Sequence, residues 1–273
     1  MTSDRQSTSA RTPAGDEAFD AHYYAHCCGK PYFRNEEWLQ IFGGIADHIV
    51  SEIAPRRVLD AGCALGLLVE SLRARGVEAF GIDLSTFAMR NVDESVRGFC
   101  RQGSVADELD ADYDLIVSIE VLEHMPKAEA EAAIANFCRH TDDVLFSSSP
   151  SDHREATHVN VHPPEYWAEQ FARHGFFRDV DFDASFVTTW AVRFRKERDL
   201  VHRVIPGYER RHYGLLLECN ALRDSVIDLR RTLKELEVAQ TELAQARDRI
   251  FHMERSFFWK LRRVWAFLSR QSG

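Results

Sequence analysis

The chain lacks a zinc signature. Its six cysteines, Cys27, Cys28, Cys63, Cys100, Cys138 and Cys219, form no C-x-x-C pair, so the spacing that structural zinc sites use is missing. Cys27 and Cys28 are adjacent and not expected to bridge each other, and reduced thiols in a cytosol are the expectation. A positive charge excess is missing too. The net charge of −9 excludes a strongly basic nucleic-acid groove as the first reading. No apolar run reaches the roughly 18 residues of a spanning helix, and the N-terminus shows no apolar h-region, so neither a membrane span nor a signal peptide is expected. The 273 residues, 45% hydrophobic and 28% charged, suffice for one full domain and an appendage.

Residues 1–18 are rich in Ser, Thr, Asp, Arg and Gly without periodicity and read as a disordered tail. Residues 35–53 read as a helix with Trp38, Phe42, Ile45, Ala46, Ile49 and Ile53 on one side and Pro55 beyond its end. Strand and helix signals then alternate. Strands are expected from Val58, over 77–82, near 99–101, and over 113–119 and 144–148. Helices are expected over 66–75, 86–96, 127–140 and 164–174. Alternation of this kind predicts an α/β fold, a doubly wound and mostly parallel sheet with helices on both faces. Two last strands, 177–182 and 186–194, have no long helix between them and predict an antiparallel hairpin at one edge.

After Pro206-Gly207 the texture changes. Leu215, Leu222, Leu229, Leu236, Leu243, Ile250 and Phe257 recur every seven residues, with no Pro or Gly between 215 and 257. Such a heptad predicts a coiled-coil helix with a partner, a second copy or another chain. Its other core position weakens from Cys219, Val226 and Leu233 to Gln240, Arg247 and Glu254. The last segment places Phe257, Phe258, Leu261, Val264, Trp265 and Leu268 on one helical face and Lys260, Arg262, Arg263 and Arg270 elsewhere, with no acid after Glu254. A basic amphipathic helix of this kind suits an anionic membrane surface, and equally a partner helix or the domain itself. The expected organisation is a tail over 1–18, a domain over 19–200, a coiled coil over 208–257 and a basic tail over 258–273. The expected location is the cytoplasm, with peripheral contact at the inner membrane face.

The stretch "DAGCALG", residues 60–66, joins the first strand to the first helix. In a doubly wound sheet, ligands bind at that edge. A dinucleotide fingerprint needs glycines at 62, 64 and 67, and the chain has Gly62, Ala64 and Leu67. The pattern that fits is D-x-G-x-x-x-G, from Asp60, Gly62 and Gly66. A carboxylate at Asp60 repels a pyrophosphate but suits an ammonium or a sulfonium. Asp83 ends the second strand about 20 residues on, where an acid can accept both ribose hydroxyl protons. Its other reading is a helix N-cap.

With "VLDAGCALGLLVE", "GIDLS" and "YDLIVSIEVLEHM" taken together, residues 20–196 resemble class I S-adenosylmethionine-dependent methyltransferases. The resemblance implies a Rossmann-like, seven-stranded sheet and methyl transfer from S-adenosylmethionine. It places the loop of Asp60, Gly62, Cys63, Ala64 and Gly66 at the methionine end of the cofactor. It places Asp83 on the ribose and Leu84, Ser104 and Val105 around the adenine, with Ile119 and Glu120 beside the methyl. Ala64 stands where the family usually has glycine, and Ser104 where members often have an acid.

A closer similarity is to methyltransferases found with bacterial surface-polysaccharide and glycosyl-transfer enzymes, through "YYAHCCGKPYFRNEEW", "THVNVHPPEYW" and "FFWKLRRVW". It implies a sugar or glycan hydroxyl as acceptor, Tyr24 and Tyr32 as a cap on the cofactor, and Arg34 as partner of a carboxylate. An alcohol must lose a proton during the transfer, and His124 or His158 is the candidate base. Glu120, Glu123, His124 and a later His also resemble the set that holds a divalent metal in small-RNA 2′-O-methyltransferases, a second reading without the RNA. Methylation of another small metabolite at O, N or C, or a scaffold with a vestigial cofactor site, are the competing functions.

Overall fold

The computed structural model describes residues 15–200, 204–255 and 257–270. The chain divides into two units, Met1–Tyr208 and Glu209–Gly273. In the first unit seven strands form one sheet in the order β3-β2-β1-β4-β5-β7-β6. Strands β1 (Arg57–Ala61), β2 (Glu78–Asp83), β3 (Cys100–Gln102), β4 (Leu115–Ile119) and β5 (Asp143–Ser147) are parallel. An antiparallel edge is present as expected, but its strands are shorter than 177–182 and 186–194, with β7 (Val192–Lys196) seated between β5 and β6 (Phe176–Arg178). The Rossmann-like methyltransferase architecture is therefore complete.

The inner strands are short apolar runs because both faces are covered. Successive residues alternate between two cores. Leu59, Ala61, Ile116, Val144 and Phe146 join one, with Ile134 and Phe137 of α5 (Lys127–His140) and Trp167 and Phe171 of α6 (Pro164–Ala172). Val58, Leu115, Val117 and Leu145 join the other, with Ile45 and Ala46 of α2 (Glu36–His48) and Leu68 and Leu72 of α3 (Leu67–Arg73). A fully buried Leu or Phe stabilises by about 1.5–3 kcal/mol, so a one-residue slip of a central strand would exchange both cores at once.

Two helices depart from the sequence pattern. The helix expected over 35–53 widens into a π turn at Ile49–Ile53 and ends on Ala54 at φ +54, because Pro55 disfavours helical backbone in the residue before it. The helix expected over 86–96 stops early as α4 (Thr86–Asn91), since Val92 turns extended and buries with Val96 beside α3. Of the expected tail, residues 1–14 lie outside the described residues. Asp16–Ala18 form a short 3-10 turn ahead of α1 (Ala21–His26). Asp16 accepts hydrogen bonds from the Thr86 N–H and hydroxyl, both at 2.6 Å.

The second unit holds most of α7 (Ile205–Arg255) and all of α8 (Phe257–Arg270). At 1.5 Å per residue α7 is about 77 Å long. The heptad residues Leu215 to Ile250 lie on that one helix and are all 43–69% exposed. The side chains at 256, 257, 259 and 268–270, including Phe257 and Leu268 of the sequence patterns, lie outside the described residues. Among the described residues no helix is long and apolar enough to cross a membrane.

Candidate active site

The strand order turns at β1, with β2 on one side and β4 on the other, and an open sheet forms a crevice at the carboxyl ends of such a pair. The loop 62–66 leaves β1 there. Gly62 and Cys63 donate backbone hydrogen bonds to the Ile82 carbonyl at 2.8 and 3.0 Å. Gly62, Ala64 and Gly66 all have positive φ, +94, +46 and +72. A Cβ on Gly62 would stand 2.2 Å from Val121 Cγ2, so only glycine fits. Ala64 occupies left-handed backbone at a cost of roughly 1 kcal/mol. It is held there by Asp83, whose Oδ2 accepts the Ala64 N–H at 2.8 Å.

Asp83 is not the cap of α4. That role falls to Ser85, whose side chain accepts from the Ala88 N–H at 3.0 Å. Asp83 Oδ1 instead accepts the Ser85 N–H at 2.8 Å. Each carboxylate oxygen keeps a second lone pair. Burial raises the Asp83 carboxyl, while its bonds to Ser85 and Ala64 lower it. Asp60 is 5% exposed, and burial, followed by the Asp83 charge, pushes its carboxyl up to about 8. Two buried acids thus stand together at one glycine loop.

An aromatic layer covers the acids. Tyr24 is buried and stacks on Phe87 at 5.5 Å, and Tyr32 packs on Trp38 at 4.7 Å. Burial raises both phenols, and among nearby charges Asp83 acts most on Tyr24 and Asp60 most on Tyr32. The Ser85 hydroxyl donates to the Phe19 carbonyl at 2.6 Å, tying the segment before α1 to the loop after β2.

Other expected site residues are placed unevenly. Cys63 is buried against Gly81, where a Cβ would lie 2.6 Å from its sulfur. Leu84 is exposed beside Asp83. Ser104 Oγ accepts the Ala106 N–H at 3.1 Å. The Val105 side chain is buried in the core with Ile82 and Leu109, and its carbonyl takes a bond from Asn136. Ile119 is half-buried at the end of β4. Glu120 follows at φ +54 and accepts from Trp190 Nε1 at 2.9 Å, a residue the sequence patterns did not single out. The Arg34 guanidinium grips Glu70 of α3 at 2.6 and 2.9 Å, with Asp93 at 3.4 Å. Its charge is thus already paired within the chain.

The two histidines do meet. Val159 and Asn160 donate backbone bonds to the Glu123 carbonyl, both at 2.9 Å, and Asn160 Nδ2 donates to the Leu122 carbonyl at 3.1 Å. These bonds fasten the segment after β5 onto the 3-10 turn Leu122–His124. The His124 and His158 rings lie 4.6 Å apart, whereas His162 stacks on Tyr166 at 3.7 Å. Burial, then His158, lowers His124 to about 3, so it is neutral. Ligand atoms of Glu123, His124 and His158 lie within 4.8 Å of one another. Burial and the Glu120 charge raise the Glu123 carboxyl well above the usual range. A divalent ion would have to displace that proton, because a bound carboxylate is ionised.

Residues 33–178, more than half of the chain, match the family model described as a methyltransferase domain. The chain belongs to this methyltransferase-domain family, and its domain is of the class I S-adenosylmethionine-dependent kind. It is similar to the ubiquinone biosynthesis O-methyltransferase of Alkalilimnicola ehrlichii, 36% identical over 102 residues, covering 34% of this chain and 41% of the relative. The protein of the same name from Aromatoleum aromaticum is 36% identical over 105 residues, covering 35% and 45%. The chain thus spans less than half the length of these relatives. Its fold is similar to that of magnesium protoporphyrin IX methyltransferase from Synechocystis PCC 6803, solved with bound S-adenosylmethionine (TM-score 0.52, 15% identity, covering 69% of this chain and 100% of the other).

Proposed function

We propose that the chain binds S-adenosylmethionine at the 60–66 loop and Asp83 and methylates a sugar hydroxyl in surface-glycan biosynthesis. The carrying observation is the buried Asp60 carboxyl beside Asp83 at a loop where only glycine fits at 62. When bound, the cofactor supplies an activated methyl group. The chain's own task is to hold the acceptor oxygen in line with it and take the proton. Asp60 faces the cationic end, Asp83 the ribose, the Tyr24–Tyr32 layer excludes water, and His124 is the base.

Calorimetric titration with S-adenosylmethionine, in two buffers of different ionisation enthalpy, tests this. With its carboxyl near 8, Asp60 is largely protonated at pH 7. A cation beside it favours the ionised form. Binding is therefore expected to release up to about one proton, and affinity to rise from pH 6 to pH 8. Equal heats in both buffers would remove Asp60 from the cationic end, and no binding would remove the enzyme reading.

The sugar acceptor rests on the similarity carried by the N-terminal aromatics and the "THVNVHPPEYW" segment. A second reading, methylation of an acceptor in quinone biosynthesis, is favoured by the names of the curated relatives. Labelled cofactor with a panel of nucleotide sugars, glycans and quinone precursors separates them.

For the second unit the proposal is a coiled coil over 208–257, and a basic tail over 258–273 whose helix α8 rests on an anionic bilayer. The exposed heptad leucines support the first. Phe258, Leu261, Val264 and Trp265, all exposed, share an arc edged by Lys260 and Arg262, which supports the second. The full chain is expected to sediment as an oligomer and to float with phosphatidylglycerol vesicles but not phosphatidylcholine vesicles. A chain ending at residue 206 is expected to do neither. A monomeric full chain would overturn the coiled coil, and equal flotation of the full and shortened chains would overturn the bilayer contact.

A further inference from the structure

We infer that Glu155 and Thr157 are positioning residues that hold His124 in the tautomer a base requires, and that the Tyr23 hydroxyl marks where the acceptor hydroxyl binds. The inference rests on the reading of His124 as base. Four side chains form one hydrogen-bonded row. Thr157 Oγ1 lies 3.2 Å from Glu155 Oε1, His124 Nδ1 lies 2.9 Å from Thr157 Oγ1, and Tyr23 Oη lies 3.4 Å from His124 Nε2.

A hydroxyl has one proton to give. The Glu155 carboxylate is the stronger acceptor beside Thr157 and takes that proton, and it also accepts the Thr157 N–H at 3.1 Å. Thr157 Oγ1 can then only accept from the ring. His124 therefore carries its proton on Nδ1 and presents the Nε2 lone pair to Tyr23. The order of roles is that of a carboxylate-oriented histidine, with a threonine interposed.

The Tyr23 contact is long for an O–H···N bond, and Tyr23 sits on α1, outside the sheet. Phe19 and Tyr23 both meet the His124 ring edge-on, at 5.6 and 6.0 Å. An acceptor hydroxyl replacing the phenol meets the same lone pair. As transfer proceeds the acceptor O–H bond breaks and its proton passes to Nε2. The electron pair left on oxygen forms the new O–CH3 bond, and the pair of the broken S–CH3 bond stays on sulfur. The resulting imidazolium keeps its Nδ1–H on Thr157. His124 is a weak base in its dry site. A weak base is enough, because an alcohol oxygen that is gaining a methyl group becomes strongly acidic.

Long-range nitrogen-15 spectra of the histidine-labelled full chain test the tautomer without any acceptor. Wild type is expected to show His124 protonated on Nδ1, and Thr157→Val to show a mixture. Thr157→Ser is expected to restore the wild-type pattern. With the best acceptor of the panel, Thr157→Val is expected to lower kcat about 10–100-fold while changing the KM for S-adenosylmethionine less than about 3-fold. Glu155→Gln, a milder change, is expected to lower kcat in the same direction. A His124 protonated on Nε2 in wild type, or an unchanged Thr157→Val, would overturn the inference. So would zinc binding that moves the His124 and His158 signals together. His124→Ala at the wild-type rate, with the tautomer as expected, would instead overturn the base reading alone.

Discussion

Gly62→Ala is expected to abolish S-adenosylmethionine binding, by more than about 100-fold, while the chain still folds. Two separate costs meet at this position. The backbone stands at φ +94, where an L-residue is strained by roughly 1–3 kcal/mol. The added methyl would also lie 2.2 Å from Val121 Cγ2. Val121 follows Glu120 at the end of β4, so relief of the clash moves the two sides of the crevice apart. Overpacking of this kind costs about 1–3 kcal/mol more. At roughly 2–4 °C per kcal/mol for a domain of this size, the melting midpoint should fall by several degrees. Gly66→Ala is the internal comparison. Its nearest neighbours, Cys100 Sγ at 3.1 Å and Val92 Cγ1 at 3.3 Å, are side chains able to give way, and its loss should be smaller. Calorimetric titration and thermal unfolding check both, and wild-type affinity in Gly62→Ala would place the cofactor elsewhere.

Asp83→Ala is expected to weaken cofactor binding about 100- to 20,000-fold. Hydrogen bonds to a charged acceptor contribute roughly 1.5–3 kcal/mol each. Two ribose hydroxyls make that about 3–6 kcal/mol, at 1.4 kcal/mol per factor of ten. The substitution also strips the Ala64 and Ser85 N–H groups of their acceptor, so the loop loses the clamp that holds Ala64 in left-handed backbone. Competition with adenosine and 2′-deoxyadenosine separates these effects. Wild type should prefer adenosine, and Asp83→Ala should bind both alike. A preference that survives the substitution would take the ribose away from Asp83.

Much of the site was legible because its signals are local. The apolar run of β4, the bounds of α5 and the spacing of Asp60, Gly62 and Gly66 depend on neighbours a few residues away, and Asp83 lies one strand–helix–strand unit on. What was not legible depends on contacts far along the chain. The Tyr23–His124 pair is 101 residues apart in sequence and the Ser85–Phe19 pair 66. Asp16 lies in a stretch whose composition reads as tail, yet it holds α4. Arg34 looked free for a ligand because Glu70 and Asp93 are invisible neighbours in sequence. Burial of the Val105 side chain with Ile82 and Leu109 likewise depends on residues outside its own segment. Thr157 opens the "THVNVHPPEYW" segment, but only its distance to His124 gives it a role.

The covering segment has an evolutionary consequence. Asp16, Phe19, Tyr23, Tyr24 and Tyr32 all precede residue 33, and Trp190 follows residue 178, so all lie outside the stretch that matches the family model. They pack over the crevice without belonging to the strands beneath it. Substitutions among them leave the two cores flanking the sheet in place, and reach the loop only where Tyr24 and Tyr32 share a cluster with Ala64 and Leu65. An ancestral domain could thus keep its methyl-donor chemistry intact while its outer wall was rewritten for a different recipient molecule.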